Sequence, residues 1–229
     1  MIVNFPQNQF INLNMGIKEP EISVIFPIYQ QENFIVNSLL SILSQNEVSI
    51  ELLVSDDNSY DKSFLLAKNT LQSWLANHQN NNTTIRLRKG NTRLNRDHRQ
   101  LLVDNASKDI ILEAHADDIS HPDRVKTILN IFQSNENVSL VYSRHYIFQK
   151  EEMIKFKLSN RFKDIQMEQI DSDQIIKCVE SVDEYLIGSN MAWDRKKLLY
   201  FKKLSTAVLA TGHDRLIGMR ASLVGFVYF

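Results

Sequence analysis

Residues 109–125 read DIILEAHADDISHPDRV, and this stretch decides the fold. DIIL is short and mostly apolar, which suits a buried strand. It exits into HADDISHPD, a loop carrying the adjacent carboxylates Asp117 and Asp118. Pro122 then suits the first turn of a helix that runs to about Gln133. A strand, an acidic loop and a helix in so short a span make part of a βαβ unit, and the same pattern recurs on both sides.

Upstream, Ile22–Phe26 is an apolar run between Pro20 and Pro27, followed by helical spacing from Glu32 to Leu43. Ile50–Val54 is the next strand; it exits into the turn SDDNSYD and a helix over Phe64–Leu75. Thr84–Leu87 is a weaker strand and Leu94–Ala106 a helix. Downstream, Val138–Tyr142 is a strand, and Tyr185–Trp193 another with Gly188 inside it. A short helix from Arg195, a helix over about His213–Leu223 and a closing strand GFVYF complete the pattern. Alternation at this spacing predicts an α/β protein with a Rossmann-like, mostly parallel central sheet flanked by helices.

Residues 1–20, rich in Asn and Gln, are expected to form an irregular N-terminal extension. Residues 21–148 carry the repeating units; within 149–229, residues 149–184 lack a steady period and are expected to be a partly helical excursion from the sheet. The abrupt apolar ending suggests a chain truncated at its C-terminal end.

The chain has 229 residues, with 26 basic and 27 acidic side chains and a net charge of −1. That balance argues against a strongly basic nucleic-acid protein. Hydrophobic residues at 43% and charged residues at 23% match an ordinary globular protein large enough to bury a core unaided. Cys178 is the single cysteine, so neither an internal disulfide nor a cysteine-rich zinc site is available. The opening residues lack the basic and apolar regions of a secretory signal, and no apolar run is long enough for a membrane span.

In open α/β sheets ligands bind at the carboxyl ends of the strands. Two strands here end in acidic pairs, Asp56-Asp57 and Asp117-Asp118. Adjacent carboxylates repel unless a cation or hydrogen-bond donors compensate, and Mg²⁺ or Mn²⁺ suits such oxygen ligands. Turn or cap duty is the alternative for each pair. Between them lies RLRKGNTRLNRDHR, residues 86–99, with six basic residues against Asp97. It is open whether this is a solvated face, a nucleic-acid surface lacking aromatic platforms, or a source of arginines for a nucleotide diphosphate. Asp214, in GHD at 212–214, opens a helix; it is either a cap or a general base. His115 and His213 stand beside acids and could be ligands or structural.

Taken in order, these motifs resemble glycosyltransferase family 2, from about Glu21 to the end of the chain. The residues that carry the resemblance are ISVIFPIYQQENF with SLLSILSQ, ELLVSDDNSYDKS, DIILEAHADDISHPDRV, GSNMAWDRKKL and GHDRLIGMRASLVG. The resemblance implies the GT-A nucleotide-sugar-binding fold. It places Pro27, Ile28 and Tyr29 along the nucleotide pocket, Asp57 at a uracil or thymine imide, and Arg99 near the nucleotide. It makes Asp117 a ribose neighbour, Asp118 the ligand of Mn²⁺ or Mg²⁺, and Asp214 the catalytic base. The implied reaction is inverting, metal-dependent transfer, of hexosyltransferase type, from a UDP- or dTDP-sugar to a glycan, lipid-linked or protein hydroxyl. The family setting is bacterial surface polysaccharide or glycan synthesis, cytoplasmic or at the inner face of the membrane with peripheral association. Two departures stand out: His115 where many members have Asp, and His213 where Glu often precedes the base. His115, together with a chain that ends before the late His with which members often help bind the metal, leaves open a degenerate domain that only binds nucleotide or a partner protein. A receiver-like signalling domain, which also holds Mg²⁺ at strand-end acids, would need about half this length.

Overall fold

The computed structural model describes residues 6–143, 145–147, 157–158, 169–170, 188–201 and 213–228. Eleven strands and five helices lie among them. The strands are β1 (Phe10–Asn14), β2 (Ile22–Ile28), β3 (Ile50–Asp56), β4 (Thr83–Lys89), β5 (Ile110–Glu113), β6 (Val138–Tyr142), β7 (Tyr146–Ile147), β8 (Lys157–Leu158), β9 (Gln169–Ile170), β10 (Met191–Asp194) and β11 (Phe226–Tyr228). The helices are α1 (Ile35–Leu43), α2 (Ser63–Asn77), α3 (Arg96–Asn105), α4 (Arg124–Ser134) and α5 (His213–Val224).

Nine strands form one sheet in the order β1-β4-β3-β2-β5-β10-β6-β11-β9, while β7 and β8 pair separately. Strands β4, β3, β2 and β5 run parallel, and β11 runs parallel to β6. Strand β10 lies antiparallel between β5 and β6, so those two point the same way. The carboxyl ends of all six parallel strands therefore share one edge. Because β10 runs against them, its entry lies at that edge.

Both faces of the sheet are covered, so β2 and β3 are buried along nearly their whole length. Ile22, Val24, Phe26 and Ile28 of β2 alternate onto one face, where they pack with Ile35 and Leu39 of α1, Leu71 of α2 and Val125 of α4. Ile25 of β2 and Leu53 of β3 face the other side, against Leu102 of α3 and Ile217 and Ala221 of α5. That second face also holds buried Glu51, whose carboxylate accepts bonds from the Ser23 hydroxyl at 2.5 Å and the Ser107 amide at 2.7 Å and pairs with Arg86 at 3.1 Å.

Four local expectations need correction. Residues 10–14, expected to be irregular, form β1, an antiparallel edge strand on β4. Phe10 packs with one core and Leu13 with the other, and the strand covers an otherwise open sheet edge. Pro27 does not end its strand; β2 continues to Ile28. The Ile25 carbonyl accepts the Ala114 amide and the Ile28 carbonyl accepts the Asp57 amide, so position 27 faces β5 beyond its last paired residue, and the missing N–H costs no ladder bond. Gly188 lies in a short 3₁₀ turn, Gly188–Asn190, and the strand begins at Met191. The helix expected from Arg195 is a single 3₁₀ turn, Lys197–Tyr200. Most of the 149–184 excursion, Cys178, residues 185–187 and Gly212 lie outside the described residues.

Candidate active site at the carboxyl edge of the sheet

The sheet order places β2 between β3 and β5. At about 4.8 Å per strand, the two acidic exits stand roughly 10 Å apart across the end of β2. Pro27 and Ile28 end β2 in that interval, and Tyr29 follows directly.

Asp56 and Asp57 have separate duties. Asp56 is fully buried and folds back onto the Ser59 amide at 3.1 Å; burial raises its pKa, against the pull of the Ser59 bonds. It is a turn former, with Asn58 at φ 62° behind it. Asp57, 3% exposed, accepts the Leu94 amide at 2.7 Å and the Asn95 amide at 2.9 Å on its two oxygens. Arg93 stands 3.9 Å from it and lies over the Tyr29 ring, 3.4 Å from the centroid. Tyr29, Asp57 and Arg93 thus make a polar wall with an aromatic face at one end of the crevice.

Most described arginines of the basic stretch are committed to partners within the protein. Arg86 pairs with Glu51, and Arg88, 2% exposed, donates to the Ser55 hydroxyl and the Asn8 side chain. Arg93 faces Asp57, and Arg99 reaches the far acids. The side chain of Arg96 lies outside the described residues. His98 belongs to the same layer. Its Nε2 meets the Ser55 hydroxyl at 2.8 Å, and burial, reinforced by Arg88 and opposed by Asp57, pushes its pKa from 6.5 down to about 4. A histidine held neutral contributes stability that is present above pH 6.5 and is lost as the pH falls through about 4. Over that window the loss approaches about 3 kcal/mol. Denaturant unfolding at pH 7.5 and pH 4.5 should show this fall in wild type and a smaller one in His98→Gln; an equal fall in both would remove His98 from the effect.

At the other end of the crevice, β5 ends in Glu113, which is 1% exposed. Arg99 of α3 donates to Glu113 Oε1 through Nε at 2.9 Å and Nη2 at 2.8 Å. The same Nη2 meets Asp214 Oδ1 at 2.6 Å. Asp214 lies in the first turn of α5, where the helix dipole favours a negative charge. Burial works against the Glu113 charge, but Arg99 and His115 outweigh it and hold the carboxyl at about 2. His115 Nε2 lies 2.8 Å from Glu113 Oε1. Burial disfavours the imidazolium, yet the bond to Glu113 and its charge raise the His115 pKa. Among the described residues, Arg99 Nη1 and Glu113 Oε2 are buried without partners, so this cluster keeps one unmet donor and one unmet acceptor.

Gly188 makes room for the cluster. A Cβ there would lie 2.1 Å from Arg99 Nη2 and 2.9 Å from Asp214 Oδ1. Arg124, at the start of α4, holds the Gly188–Asn190 turn in place: its Nη2 donates to the Ser189 carbonyl at 2.5 Å and its Nη1 to the Ser120 hydroxyl at 3.1 Å. Burial lowers the Arg124 pKa to about 10, still leaving it charged at neutral pH.

Asp117 and Asp118 are exposed in the loop after β5. One ligand atom each from His115, Asp117 and Asp118 falls within 4.8 Å of the others. Two carboxylate oxygens and an imidazole at this spacing are a donor set that fits a divalent cation.

The expected site residues thus all lie at one sheet edge, and Arg99 joins the Asp214 end of the crevice to Glu113. Glu113 and Arg124 were not singled out from the sequence, Gly188 was noted only as a glycine inside a strand, and Arg93 only as one of six basic residues. A carboxylate on the last residue of an otherwise apolar strand, directly before the acidic loop, was the one available signal for Glu113.

Known proteins share this architecture. TarS 1-349 of S. aureus, in complex with UDP-GlcNAc, superposes with a TM-score of 0.64 at 19% identity over 90% of this chain and 55% of that one. The mannosyltransferase PcManGT of Pyrobaculum calidifontis, in complex with GDP-Man and Mn²⁺, gives 0.61 at 14% identity over 98% of this chain and 57% of that one. These structures place the chain in the GT-A fold. The putative glycosyltransferase EpsE of Bacillus subtilis (strain 168) is 30% identical over 129 residues, 56% of this chain and 44% of that protein. The chain therefore spans less than half the length of this curated relative. The family model for Glycosyl transferase family 2 matches residues 23–198, from the second residue of β2 to the turn after β10. With all but the last of the acidic groups of the crevice inside that match, the chain belongs to glycosyl transferase family 2.

Proposed function

We propose that the chain carries the catalytic centre of an inverting transferase that moves a sugar from a UDP- or dTDP-linked donor to an acceptor hydroxyl. The observation that carries this reading is the Arg99 bridge, which holds Asp214 at the crevice beside the His115, Asp117 and Asp118 group. The UDP-GlcNAc in the TarS structure and the GDP-Man in the PcManGT structure support a nucleotide-sugar donor.

In this reading the base stacks near Tyr29, and Asp57 accepts the pyrimidine imide N–H with lone pairs left over from its two backbone bonds. Asp117 faces the ribose. Asp118, with its neighbours, would hold Mn²⁺ or Mg²⁺, which supplies charge neutralisation at a diphosphate. Asp214 takes the proton from the acceptor hydroxyl as the new bond to the anomeric carbon forms. The bond from that carbon to the diphosphate breaks on the opposite face, with its electron pair leaving on oxygen. Arg99 keeps Asp214 aimed, and Glu113 keeps Arg99 in place. The acceptor is a glycan, lipid-linked or protein hydroxyl, and the setting is surface polysaccharide or glycan synthesis on the cytoplasmic side. Among the described residues no helix is long and apolar enough to cross a membrane.

A thermal-shift panel of UDP, dTDP, GDP and ADP with Mn²⁺, followed by donor turnover, tests the reading. Stabilisation by the pyrimidine nucleotides with nucleotide release from the matching sugar is the expected result. No stabilisation by any nucleotide would defeat it, and binding without turnover would favour a degenerate domain.

A further inference from the structure

The group at the carboxyl end of β5 contains an imidazole, and the imidazole has a buried partner. Arg99 donates to Glu113 Oε1 through both Nε and Nη2, so this oxygen meets its neighbours as an acceptor. The 2.8 Å contact between Glu113 Oε1 and His115 Nε2 therefore places the ring proton on Nε2. In the neutral ring the lone pair is then on Nδ1, the nitrogen left for a ligand. The backbone is fixed as well: the His115 carbonyl accepts the Ser38 hydroxyl at 2.7 Å and the Asp118 amide at 3.2 Å. A histidine whose second nitrogen donates to a buried carboxylate is the usual arrangement of a metal-bound imidazole, because the carboxylate fixes the tautomer and raises ligand basicity.

We infer that His115 is a metal ligand through Nδ1, held by Glu113, and that it makes the site selective for transition-metal ions over Mg²⁺. This deepens the transferase reading and rests on it. A set of two carboxylates and one imidazole carries one negative charge fewer than three carboxylates. It loses more affinity for a hard, oxygen-seeking cation than for one that accepts nitrogen. Among divalent ions the preference should therefore rise from Mg²⁺ through Mn²⁺ to Co²⁺.

The test measures metal binding alone. Co²⁺ and Mg²⁺ are titrated separately into wild type, His115→Asp and Glu113→Gln, by calorimetry and by proton NMR of the Co²⁺ form. Wild type should show a paramagnetically shifted, exchangeable imidazole N–H signal, from the Nε2 proton sheltered by Glu113. His115→Asp should lose that signal and lower the ratio of Co²⁺ to Mg²⁺ affinity by about tenfold or more. Glu113→Gln should weaken Co²⁺ binding by about 10–100-fold. Because that substitution sits next to Arg99 and could disturb folding, His115→Asp, at a half-buried position, is the deciding variant. An unchanged ratio in His115→Asp, no shifted N–H signal in wild type, or no Co²⁺ binding would overturn the assignment. Donor turnover in wild type, measured alongside, separates this from a failure of the transferase reading: turnover with an unchanged metal ratio sinks only the ligand, and selective metal binding without turnover sinks only the transferase.

Discussion

Asp214→Asn is expected to lower donor turnover by about 10²–10⁴-fold, the contribution of a positioned general base. The substitution is nearly isosteric. The asparagine carbonyl oxygen can still accept the Arg99 Nη2 contact that Asp214 Oδ1 accepts at 2.6 Å, so the helix start and the guanidinium stay where they are. What is lost is the basic lone pair at the acceptor side. Nucleotide affinity should barely change, because Asp57 and Tyr29 lie at the other end of the crevice. Calorimetry with the nucleotide and a nucleotide-release assay with the donor sugar read the two quantities separately. Turnover equal to wild type would take the base role away from Asp214; a parallel fall in nucleotide affinity would reassign it to binding.

Arg99→Met is expected to have the largest effect on stability. Arg99 is the cation against two acids, Glu113 at 2.8 Å and Asp214 at 2.6 Å, and Glu113 is 1% exposed. Removing one partner of a buried ion pair leaves an uncompensated charge and costs about 3–5 kcal/mol. For a domain of this size that corresponds to a melting temperature lower by about 10 °C. The double variant Arg99→Met with Glu113→Gln should regain part of the loss, since the stranded charge is then gone. If the single variant melted within a degree or two of wild type, the bridge would not be holding the site together.

The fold was largely readable because its signals are local. Strands β2, β3, β5 and β6 are mostly apolar runs with turn residues near their exits, and buried α/β sheets require such runs. The helices emerged from periodicity, with shifts of a few residues at their ends. What could not be read was pairing. Nothing in FINLN at 10–14 announces that it meets Arg86–Arg88, and nothing in MAWD at 191–194 announces that it runs against its neighbours. The site divides in the same way. The acids at strand exits stand out because their positions are dictated by chain order. Glu113 does not, since its meaning comes from Arg99, 14 residues earlier, and from Asp214, far later in the chain. Gly188 looks like an irregularity in a strand until the guanidinium beside it is located.

The placement of β10 has a consequence for how the protein is made. Residues 191–194 are the seam between β5 and β6, yet they follow β6 by about fifty positions. As the chain leaves the ribosome, β2 to β5 can pair as soon as they appear, but β6 has nowhere to dock until the seam arrives. Until then the open side of β5 is a bare apolar edge carrying Glu113. The long sequence separation also makes this closure a slow, entropically costly step. Nascent chains ending before residue 191 should therefore depend on chaperones. The proposed catalytic centre, which needs α5 as well, is among the last parts of the molecule to exist.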